Sequence, residues 1–332
     1  MMDITIRQFD QSDEKSWDEF VNSSSNGTIF HLRKFLSYHI DRQFVDQSLI
    51  FEKKGNIIAI FPAAIIENEK KRILFSHPGA SFGGFVYQKL NFRESEAIIK
   101  TLEKFIYNKK IDKLFFIPTP SIYSCDRDET MEYTLIWNNY MPIENYISSI
   151  ITINPNKEKN INEMCRLKNR TKNYYKKIIQ KNNIVFKWEN DFDTFYPILI
   201  NNKSKHNSSP THSINELKKI DKILPGKLEL LLMYSDDKPI GGSLLINANK
   251  RVRIIFYNMV DYNYVHLQPA TLQSIEIISN SSSKNIYTLD FGVSHNPSLE
   301  NPLTPSKSLI QFKEEMGGFA IIRKVYSKIF KI

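Results

Sequence analysis

"YSDDKPIGGSLLINANKRVRIIFYN", residues 234–258, holds a strand end, a turn at Asp236-Asp237-Lys238-Pro239, a second strand over "IGGSLLINA" and the start of a third, "RVRIIFYNMV". Asp and Pro supply turn chemistry, and the apolar, β-branched runs beside them supply strand chemistry. Far upstream, "FEKKGNIIAIFPAAIIENEKKRILFS", residues 51–76, has the same layout. There Gly55-Asn56 is the turn, "IIAIFPAAII" a second strand and "RILFSH" a third. Two such meanders in nearly equal spacing predict a duplication.

The flanks extend the match. Ahead of the first meander, "SDEKSWDEFVNSSS" puts Trp17, Phe20 and Val21 on one helical face behind a Ser12/Asp13 cap, and "FHLRKFLSYHI" reads as a second helix. "QSLIFEKK" is the first strand. After the meander come an amphipathic helix, "RESEAIIKTLEKFIYNKK", with Ala97, Ile98, Leu102, Phe105 and Ile106 on one face, and a short buried strand, "DKLFFIP". In the second half "VFKWEN" leads in as a strand, "FDTFYPILINNKS" and "SINELKKIDKI" are helices and "KLELLLMYS" opens the meander. "PATLQSIEIISNSS" is a helix with Pro269 in its first turn, and "IYTLDFG" is the closing strand. The order helix, helix, three strands, helix, strand occurs twice. It predicts an α/β chain of two tandem domains, 1–150 and 151–332, each a mixed, mainly antiparallel sheet flanked by helices, with a basic helix opening the second.

The composition agrees with two globular domains. The chain has 332 residues, 41% of them apolar, and no apolar run reaches the roughly 18 residues that span a bilayer. The start, "MMDITIRQFDQSDEKSWDEF", lacks the basic and apolar segments of a signal peptide, so a cytoplasmic location is expected. The two cysteines, Cys125 and Cys165, do not form a close pair, so neither a disulfide framework nor a metal site is expected. The net charge of +9 favours an anionic partner, although a general Ile, Lys and Asn bias also produces it.

This order of elements resembles the GNAT acyltransferase fold. Two such domains in tandem resemble the FemAB-type transferases and their acyltransferase relatives. "SHPGASFGG", residues 76–84, resembles the Gly-rich segment of the relatives' first domain. "DFGVS" at 290–294, followed by "LIQFKEEMGG" at 309–318, resembles their closing motif, and "NEMCRLKNRTKNYYKKIIQKNNI" at 162–184 resembles their basic interdomain helix. The resemblance implies transfer of an acyl or aminoacyl group to an amine, in work on cell-envelope glycans.

Residues suited to that chemistry gather in four places. In the closing motif, the resemblance puts Lys313 at the cleft between domains, where an ammonium binds a phosphate or stabilises an oxyanion. Asp290 ends a strand, where a carboxylate can take the proton of the attacking ammonium, and His295 is the alternative base. "NKSKHNSSPTHS", residues 202–213, offers Lys203 and Lys205 for phosphate and His206 and His212 for sugar hydroxyls, with His206 a further base and Thr211 or Ser213 a helix cap. The basic helix 160–181 carries Ile161, Met164, Leu167, Thr171, Tyr174 and Ile178 on one stripe. Lys168, Arg170, Lys172, Lys176, Lys177 and Lys181 lie elsewhere on it, a face suited to a polyanion, with Arg170 also available to balance charge at the site. His77 and Ser81 stand in the Gly-rich segment as substrate contacts, and the resemblance sets Tyr257 on the strand that borders the donor.

The donor has no motif of its own in this sequence. CoA-using GNAT domains carry a basic-x-x-Gly-x-Gly/Ala turn whose N–H groups hold the pyrophosphate. The matching stretch here, "DYNYVHLQPATLQ", residues 261–273, has no Gly pair. The peptidoglycan-bridge members carry a coiled-coil arm, and no sustained heptads occur here. The expectation is an N-acyltransferase using acyl-CoA and the amine of a nucleotide-linked or lipid-linked amino sugar, the latter compatible with peripheral membrane contact. The alternatives are an aminoacyl-tRNA-dependent peptidyltransferase and a non-catalytic RNA- or envelope-binding scaffold.

Overall fold

Pro62 decides how the first meander folds. It has no N–H to give a ladder, and its carbonyl accepts a hydrogen bond from the Ser76 hydroxyl. The run expected as one strand therefore divides into two, and the pieces enter different sheets. The computed structural model describes residues 4–40, 42–68, 71–126, 128–154, 168–205 and 207–331. Residues 1–145 with 322–332 form one compact unit, and residues 146–321 form a second.

In the first unit, β1 (Ile4–Gln8), β2 (Val45–Asp46), β3 (Leu49–Lys53), β4 (Asn56–Phe61), β5 (Ala64–Asn68), β6 (Lys71–Ser76), β7 (Val86–Tyr87) and β8 (Lys113–Phe116) accompany α1 (Glu14–Ser23), α2 (Arg33–Leu36), α3 (Phe92–Asn108) and α4 (Thr130–Trp137). One sheet runs β1-β3-β4-β7. In the other, β5 pairs with β2 and β6, and β6 pairs in parallel with β8. The C-terminal strand, Phe319–Ile329, completes this sheet, with Tyr326 opposite Phe116 and Ile329 opposite Lys113. α3 starts on an Asn91–Glu94 capping box and buries Ile98, Ile99, Leu102 and Ile106. They meet Phe51, Phe61, Leu74, Phe116 and Tyr326 in one core. The second expected helix is only one turn, α2, because a 3-10 turn at Ile29–His31 precedes it.

In the second unit, the latter part of β9 (Met141–Thr152) is followed by α5 (Asn169–Lys181), β10 (Ile184–Trp188), α6 (Phe192–Ser204), α7 (Ile214–Ile223), β11 (Leu228–Ser235), β12 (Lys238–Asn247), β13 (Val252–Val260), α8 (Pro269–Ser283), β14 (Thr288–Val293), α9 (Lys307–Glu315) and the start of β15, the C-terminal strand. The strands run β10-β11-β12-β13-β14-β9. Only β13 and β14 of these neighbours are parallel. Here the meander keeps to one sheet. Leu231, Leu245, Ile255, Ile275, Ile278 and Leu289 form its core. Ser213, not Thr211, caps α7, in a box with Glu216. The earlier part of the expected basic helix, with Ile161, Met164, Cys165 and Leu167, lies outside the described residues.

Candidate active site

β13 and β14 pair over only Val252–Ile254 and Thr288–Asp290, yet β13 runs on to Val260 and β14 to Val293. Among the described residues no strand pairs with that edge of β13 beyond Ile254. Splayed parallel strands leave a crevice at their carboxyl ends, where ligands of α/β sheets bind.

Asp290 stands where the strands part. It is fully buried, and its Oδ1 accepts hydrogen bonds from Gly292 N at 2.6 Å and Ser148 Oγ at 3.1 Å. Gly292 adopts φ +73°, a left-handed conformation that costs other residues roughly 1–2 kcal/mol. The register against β9 shifts between Asp290 and Val293. Lys313, in the last turn of α9 and 3% exposed, donates to Gly292 O at 2.8 Å, Val293 O at 3.0 Å and Ser294 Oγ at 2.8 Å. An ammonium is a donor only, and these oxygens engage it closely. These bonds fasten Lys313 to the turn that ends β14. Asp290 holds the same turn from the other side.

His295 follows directly. It is half-buried, edge-on to the Tyr146 ring at 5.0 Å, and its backbone bridges to Pro305. Burial, then the Lys313 charge, pushes its imidazole below the ordinary value, and its buried Nδ1 has no partner among the described residues. A neutral ring with a free nitrogen can accept a proton.

A second group lines β13. The Tyr257 phenol oxygen accepts from Thr211 N at 3.1 Å, and Tyr196 Oη donates to His212 O at 3.1 Å, so the Thr211–His212 backbone is tied down at two points. His212 is buried against Phe256, with ring centres 5.3 Å apart. Lys203 Nζ lies 5.5 Å from the Tyr257 ring centre, and Lys205 Nζ lies 3.6 Å from that of Tyr262. Burial lowers the Lys203 ammonium and raises the Tyr257 phenol. His206 lies outside the described residues, and Arg170 is exposed on the first turn of α5. Behind the strand, Asn258 Oδ1 accepts from Ser243 Oγ at 2.9 Å and Gln273 Nε2 at 2.7 Å, a network the sequence did not point to.

His77 and Ser81 belong to the first unit. His77 is buried, 2.7 Å from Pro78 O through Nδ1, and burial lowers it to about 4. The Gly-rich segment also makes a close backbone approach: Gly83 N donates to Ile117 O at 2.7 Å, and a Cβ on Gly83 would lie 2.3 Å from Ser76 O. His31, which the sequence reading passed over, is fully buried, takes Thr28 N on Nδ1 at 3.0 Å and is likewise lowered to about 4, chiefly by burial. Its only sequence signal is the Thr28-x-x-His31 spacing of a cap.

The expected acyl-CoA requires a cradle for its pyrophosphate. At the start of α8, Pro269 has no N–H, and Thr271 N and Leu272 N donate to Gln268 O at 3.0 and 3.2 Å. At the start of α3, Asn91 Oδ1 takes Glu94 N, and the Glu94 carboxylate occupies that end. Neither helix start fits the pyrophosphate.

No protein-family model matches the chain, and no curated protein matches it in sequence. Solved structures do match. FemX matches 98% of this chain with 97% of its own at a TM-score of 0.71 and 12% identity. The C-terminal domain of a putative lysylphosphatidylglycerol synthetase from Agrobacterium fabrum matches 95% with 91% of its own, at 0.62 and 8%. A tandem GNAT protein from the clavulanic acid biosynthesis pathway matches 98% with 98% of its own, at 0.56 and 6%. At such identities the likeness is one of architecture: the chain has the fold that FemX and the tandem GNAT protein share.

Proposed function

We propose that the chain is an N-acyltransferase that moves an activated acyl group, held as an ester or thioester, to the amine of an amino sugar in surface-glycan synthesis. One observation carries this reading: β13 and β14 part after three paired residues, beside a wall of Tyr257, His212 and Lys203. The tandem GNAT fold supports it. The acceptor nitrogen attacks the carbonyl carbon, the bond to the leaving oxygen or sulfur breaks, and the ammonium proton passes to a base. His295 is the base we assign, and Asp290 and Lys313 position the turn that carries it.

The test incubates the protein with an amino sugar and either acetyl-CoA or aminoacylated tRNA and reads the acceptor's mass. A mass gain with one donor supports the reading, and His295→Gln should then lower kcat about 100-fold or more. No gain with either donor and any amine removes it.

The aminoacyl-tRNA reading has one observation in its favour. On α5, Lys176, Lys177 and Lys181 are exposed around an open recess of about 450 Å³. Arg170 and Lys172 lie in its first turn, against the helix dipole, at roughly 0.3–1 kcal/mol each. A polyanion relieves that cost. A scaffold without catalysis predicts salt-sensitive RNA binding and no acyl transfer. Among the described residues no helix is long and apolar enough to cross a membrane.

A further inference from the structure

Two strands that begin a parallel ladder gain further hydrogen bonds by continuing it. β13 and β14 stop at Ile254 and Asp290, although β13 runs on through Ile255–Val260. On the β14 side, the turn at Gly292 is held by Asp290 and Lys313. On the β13 side, two buried asparagines do the holding.

Asn258 faces α8. Its Oδ1 accepts from Ser243 Oγ at 2.9 Å and Gln273 Nε2 at 2.7 Å, and its Nδ2 donates to Ser274 Oγ at 3.2 Å and Ala270 O at 3.3 Å. A side-chain amide has two donors and an acceptor with two lone pairs, and these four partners match them. Ser243, Gln273 and Ser274 are fully buried, and Gln273 Nε2 also reaches Met259 O at 3.3 Å. The amide thus ties the first turns of α8 to both β12 and β13.

Asn202 works from α6. It is buried, its Oδ1 accepts from Val260 N at 3.3 Å, and its Nδ2 donates to Val260 O and to Ile198 O. Both backbone groups of the last residue of β13 are engaged, as an antiparallel neighbour would engage them. Successive residues of a strand face opposite sides of its sheet. Gly241 and Gly242 in β12 accordingly let both helices in: a Cβ on Gly241 would lie 2.7 Å from Gln273 Oε1, and one on Gly242 would lie 2.7 Å from the Phe195 ring of α6. The unpaired length of β13 is gripped from both faces.

We propose that Asn258 and Asn202 are positioning residues that hold this length of β13 away from β14, so that the crevice is a preformed site rather than one its ligand must open. The clamp follows from contacts within the second unit; its effect on turnover rests on the acyl-transfer reading above.

Amide hydrogen exchange of the full chain, read residue by residue by NMR, tests the clamp. Asn258→Ala and Asn202→Ala should each speed exchange of the β12-paired amides within Ile255–Val260 at least about tenfold, and leave Val252–Ile254, which β14 also holds, within about twofold. Ser243→Ala removes one donor to Asn258; it should act in the same place severalfold, and it serves where the larger changes prevent folding. Equal acceleration across the whole sheet, or none over Ile255–Val260, overturns the proposal. Where the protein acylates an amino sugar, the variants should raise KM at least about fivefold with kcat within about twofold, because fewer molecules are ready to bind. A fall in kcat at unchanged KM overturns the positioning role. Selective exchange without acyl transfer would keep the clamp and remove the enzymatic reading; acyl transfer with uniform exchange would do the reverse.

Discussion

Lys313 shows what one residue can and cannot disclose. Its place in the "FKEEMGG" stretch marked it in the sequence, but it reaches backbone and hydroxyl oxygens of residues 292–294, which no spacing rule brings to it. Asp290 was likewise found and its partners were not, because Ser148 is distant in sequence. Lys313→Met should destabilise the chain by about 3 kcal/mol, since it strands buried acceptors, as urea unfolding would show. The buried histidines give a pH signature. His31 and His77 are lowered by burial to about 4 from the ordinary 6.5, so the unfolded chain binds their protons first. Stability is complete above about pH 6.5 and falls toward pH 4, by about 1.4 kcal/mol per unit for each ring. Urea unfolding at pH 7.5 and 5.5 should differ by about 3 kcal/mol, and His77→Gln should remove about half of that difference.

Among the elements, α7 and α8 lie where Ser213 and Pro269 suggested, and α3 lies where its apolar face did. α4 was missed because it is apolar on both faces. Met131 and Leu135 are buried, while Tyr133, Ile136 and Trp137 are exposed, so no helical period stands out. β9 was missed because it changes from alternating to continuous burial along its length. Pro62 was visible, but its consequence, a change of sheet, depends on which strands lie alongside. The Gly83 approach was legible only as a glycine. Gly83→Ala should cost more than about 2 kcal/mol, because the neighbouring atoms are backbone and cannot retreat. Gly292→Ala should cost about 1–2 kcal/mol from its φ alone, with open space around the new methyl. Thermal unfolding of the two variants separates a clash from a conformational cost.

Across the whole molecule, the doubled order of elements was the most readable feature, and the fold follows it. The charge of +9 was readable too, but not where it concentrates. Lys176→Glu, Lys177→Glu and Lys181→Glu together should weaken tRNA binding at least tenfold and flatten its salt dependence, measured by filter binding at several salt concentrations. The final strand reaches back: residues 322–332 count with the first unit, and Tyr326 lies fully buried against Phe116 there. On the ribosome, the opening half of this protein therefore waits, one piece short, while everything from 146 to 321 is translated. Until the last strand arrives, the flank of β8 that it covers has no partner from it, and an open strand edge is where nascent chains stick to one another.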